Sequence, residues 1–212
     1  EAHILRDLYE SLVVHGPDAS LRAGAAASWT ISDDGRVYTF DIRDDAKWSN
    51  GDDLTAGDFV FSYRRILDPA TGAKYANILY PILNAAAVNS GEMAPEELGV
   101  RAIDAKTLEI TLASPTPYFL ELLTHQTSLP VHPPSVEAHG MAFTRPENMI
   151  SNGAYTLVEW VPNAHIKVEK NPNFHDAANV AIDEIYFYPT GDRSSALRRF
   201  MAGELHSNGD AP

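Results

Sequence analysis

Cysteine is absent from this chain, so neither a disulfide framework nor a thiolate metal site can form. Basic residues are scarce: 16 Lys plus Arg stand against 29 Asp plus Glu, a formal net charge of -13. A nucleic acid or an anionic membrane needs a basic face that displaces counterions, so the balance argues against both and permits a cationic or zwitterionic ligand. No apolar run approaches the about 18 residues that cross a bilayer as a helix, and no charged-then-apolar segment opens the sequence. Missing too are the nucleophile elbow G-x-S-x-G, the phosphate-cradling G-x-G-x-x-G and P-loop turns, and the H-E-x-x-H pair of zinc enzymes.

What is present is an ordinary globular composition, 44% apolar and 21% charged over 212 residues, enough to bury a core in one or two domains. The opening "EAHILRDLYESLV" spaces Ile4, Leu5, Leu8, Leu12 and Val13 as one helical face. A helix starting at the first residue, and a tail "MAGELHSNGDAP" with no terminating element, suggest a truncated or processed chain. The period then changes to two. "AASWTISDDGRVYTFDIR" reads as a hairpin turning at "SDDG", and residues 99–113 as a second hairpin around "DAKT". Between them Thr55 and Asp58 form a capping box with Asp in place of Glu. Phe59, Val60, Tyr63, Ile66 and Leu67 then line one face of a helix that stops before Pro69.

Further on, "PTPYFLELLTH" supports two helical turns, and "PPSVEAHG" a short helix with Gly140 just past its end. "GAYTLVEWV", "HIKVEKN" and "AIDEIYFYP" favour strands, and "RSSALRRFMAG" a closing helix ended by Gly203. Strands and helices intersperse without strict alternation, which indicates an α/β class with mixed sheets. Pro130, Pro133 and Pro134 mark the best internal boundary.

The acids Asp52, Asp53 and Asp58 lack the spacing of a calcium loop, because Gly51 precedes them instead of standing among them. A turn followed by a capped helix accounts for them better. His125, His132 and His139 recur every seventh residue, but the intervening prolines forbid one helix through all three, so no metal or cofactor is expected. Glu96 and Glu97 belong to a solvated loop, not to a catalytic pair. The tyrosines and tryptophans, among them Tyr75, Tyr118 and Trp160, offer rings with one polar tip that suit ligand clefts as well as cores and rims. Physics alone therefore reaches an acidic α/β domain that binds and does not catalyse.

The order of the pieces goes further. "LYESLV", "YTFDIRDDAKWSNGDDLTAGDFVFSYRR", "LGVRAIDAKTLEITLASPTPYFLELL", "SNGAYTLVEW", "NPNFHDA" and "MAGEL" together resemble the oligopeptide-binding proteins of bacterial ABC importers, across essentially the whole chain. The "SNGAYTLVEW" segment is like the oligopeptide branch of the wider peptide and nickel solute-binding family.

The resemblance implies a class II periplasmic-binding-protein-like fold, of which this chain is the near lobe of a two-lobed clamshell. Residues 10–131 would form one subdomain, and residues 1–9 with 132–212 an incomplete hinge-bearing domain. A full member is twice this length or more, with its far lobe beyond Pro212 supplying the carboxylate for a peptide's α-amino group. It implies capture of extended oligopeptides as an added strand, with no catalysis and no cofactor. It also implies delivery to an ABC permease and ATPase, a monomeric state, and a location in the periplasm or outside the cell on a lipid anchor. Position by position, Tyr75 in "AKYANIL" matches a tyrosine of the peptide groove, His125 a groove histidine, and Asn208 the hinge passage beside the ligand. Asn152 sits in a matching motif, where a structural turn at the "NGAY" corner is an equal alternative. The same family also holds receptors for dipeptides, cell-wall peptides, sugars and metal chelates. An acidic hydrolase is the competing class.

Overall fold

The computed structural model describes residues 2–209; Glu1, where the expected N-terminal helix starts, and residues 210–212 of the expected open tail lie outside them. Helix α1 (Ala2–Leu8) ends earlier than the spacing of Leu12 and Val13 suggests. Both residues are fully buried, but not on a helix face. The chain extends after Leu8 into β1 (Val13–His15), which pairs antiparallel with β2 (Leu21–Ala23). A buried apolar pair mimicked one more helical turn, which hid a hairpin whose one local mark is the turn-forming "GPD" at residues 16–18.

The two expected hairpins form one sheet. Strands β3 (Ala26–Ile31) and β4 (Val37–Ile42) precede helix α2 (Ala56–Leu67) and helix α3 (Ala85–Ser90), and β5 (Val100–Ala102) and β6 (Thr107–Thr111) follow. The strand order is β3-β4-β6-β5. Register places Tyr38 opposite Ile110 and Phe40 opposite Leu108, so the period of two lines up one buried face. Helix α2 lays Phe59, Tyr63 and Leu67 into the same core. Each such side chain contributes about 1.5–3 kcal/mol when taken out of water.

The three acids of the turn before α2 have separate structural duties. Asp58 accepts from the Thr55 backbone N–H at 2.9 Å and from the Trp48 indole at 3.0 Å. Asp53 accepts from Lys47 at 2.7 Å, and Asp52 meets Asn50 at 2.6 Å and His132 at 3.1 Å. These hydrogen bonds hold the carboxyls of Asp52 and Asp53 below the usual aspartate range.

Helix α4 (Phe119–Leu122) is one turn, not two. The Leu123 carbonyl, which a longer helix would use, accepts instead from the hydroxyls of Ser11 and Ser128, each at 2.5 Å. Helix α5 (Pro133–His139) begins where the prolines allow, and its chain leaves through Gly140 at φ 53°. Strands β7 (Tyr155–Val161), β8 (His165–Lys170) and β9 (Glu184–Phe187) make a second sheet in that order, and α6 (Arg193–Met201) closes the described chain. The α/β class holds. Every ladder among the described residues is antiparallel, so the parallel pairing of a mixed sheet does not occur within them. No helix is long and apolar enough to cross a membrane among the described residues.

One buried cluster runs from Leu8 through the first sheet to Val168 of β8. The "SNGAY" corner is pressed against the end of α1. A Cβ on Gly153 would stand 2.6 Å from backbone atoms of Asp7, Leu8 and Tyr9, so only glycine permits this approach.

Candidate functional site

Two of the four residues singled out by sequence come together. Tyr75 lies just before a short 3-10 helix, Ala76–Leu79, whose Ala76 and Leu79 are buried and anchor it. Its own ring stays 57% exposed. His125 lies 50 residues later between α4 and another 3-10 turn, Gln126–Ser128. The Thr127 backbone N–H donates to its Nδ1 at 3.2 Å, which fixes the ring and leaves the proton of a neutral imidazole on Nε2. Ser128, fully buried, holds the same turn with its hydroxyl 2.7 Å from the His125 carbonyl. The two rings then meet edge to face, with centroids 5.7 Å apart and planes at 64°.

They wall a cleft of about 230 Å³ with Arg6, Thr124, Gln126 and Leu129. Sequence reasoning missed these four. Arg6 sits within the helical pattern of α1, and Thr124 and Gln126 flank His125, so adjacency to a candidate was the one available signal. Arg6 has no carboxylate partner, and His125 Nε2 no acceptor, among the described residues. The cleft thus presents a guanidinium, an imidazole N–H, an amide and a phenol beside one aliphatic side chain, Leu129. That set suits a ligand rich in carbonyl or carboxylate oxygens. Its volume lies below the roughly 300–1,000 Å³ of sites that enclose a ligand.

The other two candidates stand apart. Asn152 is 4% exposed, and its amide is spent on the backbone of Glu10: Oδ1 accepts from Glu10 N–H at 3.1 Å and Nδ2 donates to the Glu10 carbonyl at 2.9 Å. It brackets the exit of α1 to the corner before β7. Asn208 follows α6 and is partly buried; its Nδ2 is enclosed and finds no partner among the described residues.

Glu10 itself is a feature the sequence did not flag. Its carboxylate meets His175 Nε2 at 2.9 Å, both side chains largely buried, and joins α1's exit to the loop between β8 and β9. Burial pushes the Glu10 carboxyl up, opposed by the hydrogen bond and charge of His175 and by Arg43. Asp176 adds to the rise. Asn173 of the same loop donates to the Ser49 carbonyl at 2.9 Å and ties the loop to the turn before α2.

Comparison with known proteins gives the arrangement a context. Residues 20–212 match the model described as "Bacterial extracellular solute-binding proteins, family 5 Middle". The chain is 40% identical over 207 residues to the periplasmic oligopeptide-binding protein OppA of Escherichia coli, covering 97% of this chain and 38% of that protein. It is 37% identical to the probable deoxycholate-binding periplasmic protein YgiS of the same organism, over 96% of this chain and 38% of the relative. The solved structure of Haemophilus influenzae OppA in complex with the peptide RPPGFSPFR superposes with a TM-score of 0.94 at 40% identity, covering 97% of this chain and 40% of that one. The chain therefore spans about two fifths of the length of the relatives it matches.

Proposed function

This chain belongs to the family 5 bacterial extracellular solute-binding proteins, and from that premise we propose that it forms the near wall of the receptor of a peptide ABC importer. The observation that carries the reading is the edge-to-face pair of Tyr75 and His125, with Arg6 beside it, on a cleft where Arg6 has no carboxylate partner and His125 Nε2 no acceptor among the described residues. An extended peptide laid there would meet N–H donors with its carbonyl oxygens, while the rings cover one side chain without selecting it closely. In this reading residues 10–131 form one subdomain, and residues 1–9 with 132–212 belong to the hinge-bearing domain. The far lobe lies in the length that the relatives have beyond this chain. Asn208 stands near the hinge, and Asn152 acts by holding Glu10.

The protein binds and releases its ligand unchanged, without a cofactor and as a monomer. It works in the periplasm, or outside the cell on a lipid anchor, and passes its ligand to a permease with its ATPase. A second reading, a receptor of the same family for another solute, rests on the 37% identity to a relative named for deoxycholate.

Calorimetry with tri- and tetrapeptides, and separately with deoxycholate, on this chain and on one extended to the relatives' length, tests both readings. We expect peptide binding by the extended chain and affinity lower by about a thousandfold or more in residues 1–212. The loss of a buried charge pair, at about 2–5 kcal/mol, combines there with that of a groove wall. Binding of deoxycholate alone would overturn the peptide reading, and turnover of peptidase or glycosidase substrates would overturn the receptor reading altogether.

A further inference from the structure

The solvent side of α2 carries a second concavity, about 740 Å³, that shares no residue with the Tyr75 cleft. Val60 and Phe61, both half-buried, line it together with Arg64 and Arg65 of α2 and Arg101 of β5. Three of the 16 cationic Lys and Arg side chains of a chain with net charge -13 thus gather on one groove.

Their partners leave much of that charge unspent. Arg101 donates to Glu109 at 2.7 Å. Arg65 lies over the Phe143 ring at 5.2 Å, and its Nη2 reaches only the Met141 sulfur, at 3.7 Å. Arg64 makes one long bond, 3.4 Å, to the Glu96 carbonyl. Its Nε is enclosed with no acceptor among the described residues. Neither Arg64 nor Arg65 pairs with a carboxylate among those residues. Of the two acids at the rim, Asp68 is engaged in capping the next turn through the Ala70 N–H at 2.8 Å, and the Glu96 side chain is exposed.

Arginines in the last turn of a helix offset its dipole, which accounts for their sign. That role does not account for an enclosed guanidinium N–H without an acceptor, nor for a half-buried Phe61 lining the groove beside Val60, which also packs against the core. A planar fork beside apolar side chains complements a carboxylate flanked by aliphatic side chains. We propose that this groove docks a protein partner through a segment presenting glutamate or aspartate between leucine-like residues, with Arg64 and Arg65 gripping the carboxylates and Val60 and Phe61 taking the apolar neighbours.

The probe is acetyl-Leu-Glu-Glu-Leu-amide, whose blocked termini remove the terminal ammonium and carboxylate, titrated into the 212-residue chain and into its Tyr75→Ala variant and followed by NMR. The expected result is saturable shifts at Val60, Phe61 and the Arg64 Nε–H that are the same in both, independent of what the glutamates do at the Arg6 cleft. Affinity should fall by about tenfold or more in Arg64→Gln or Arg65→Gln, and by a smaller factor in Arg64→Lys, which keeps charge but not the fork. Spectra of the free variants that match the parent chain establish that each is folded, and the Lys variant gives a gentler readout if a Gln variant is not. Equal binding of acetyl-Leu-Gln-Gln-Leu-amide, shifts confined to the Tyr75 cleft, or no shift up to about ten millimolar, the weak end of recognition, would each overturn the proposal.

Discussion

In the first sheet, Tyr38, Phe40 and Ile42 of β4 and Leu108 and Ile110 of β6 all lie buried beneath α2. In the second, Tyr155, Leu157 and Val168 are buried, while Trp160 is 53% and Tyr186 42% exposed. Both sheets are antiparallel and alternate in side-chain direction, so strand chemistry does not separate them. Cover does. The first sheet owns a helix that closes its apolar face within the same stretch of chain. In the outer aromatic row of the second, Lys167 stands 5.5 Å and the His165 ring 5.6 Å from the Tyr186 ring, and Arg199 stands 5.0 Å from Tyr188. A core closed locally carries stability, and a row left on the surface carries little until something packs on it.

The largest expected effect breaks the comparison most sharply. Phe59→Ala or Phe40→Ala should cost about 3–5 kcal/mol, whereas Trp160→Ala or Tyr186→Ala should stay within about 0.5 kcal/mol. Urea midpoints measure both, and equal shifts in the two sheets would remove the distinction.

Next in size is the junction between the sheets. Gly153→Ala forces a methyl onto the backbone of residues 7–9, and Asn152→Ala leaves the Glu10 backbone pair unsatisfied in a buried place. Each should cost about 1–3 kcal/mol. If Asn152→Ala instead leaves stability unchanged and abolishes ligand binding, the bracket role assigned to it is wrong.

A smaller effect is a pH slope. Burial raises the Glu10 carboxyl above its usual 4.5, so the folded chain holds that proton more tightly than the unfolded chain does. Stability from this group is fully present below the usual value and is lost as pH rises through the raised one. The exposed Asp52, Asp53 and Asp104, held low by hydrogen bonds, act in the opposite sense. The difference between the parent chain and Glu10→Gln reads this carboxyl together with its pairing to His175. The variant should lose less stability than the parent as pH climbs from 4.5, and parallel curves would contradict the burial of this carboxylate.

Much of this architecture was legible because the relevant signals are local. The alternation of Val37 to Ile42, the Thr55 and Asp58 box, and Gly140 after α5 each fix an element from neighbours in sequence. What stayed hidden depends on partners far along the chain. The early end of α1 follows from Asn152 gripping Glu10 across 142 positions, and the shortness of α4 from Ser11 reaching Leu123 across 112. The site divides the same way. Tyr75 and His125, singled out through the resemblance of their segments, line one cleft, but Arg6 joins them only through the fold, and no pattern marks Glu10 as the mate of His175.

The central claim, that Tyr75 and His125 form the near wall of a peptide site, is tested most directly by titrating trialanine with free termini into the 212-residue chain while following assigned ring and guanidinium NMR signals. The account predicts saturating shifts at Tyr75, His125 and Arg6 with a dissociation constant of about a millimolar or weaker, lost in Tyr75→Ala. Saturable binding that moves other residues while these three stay silent would contradict it.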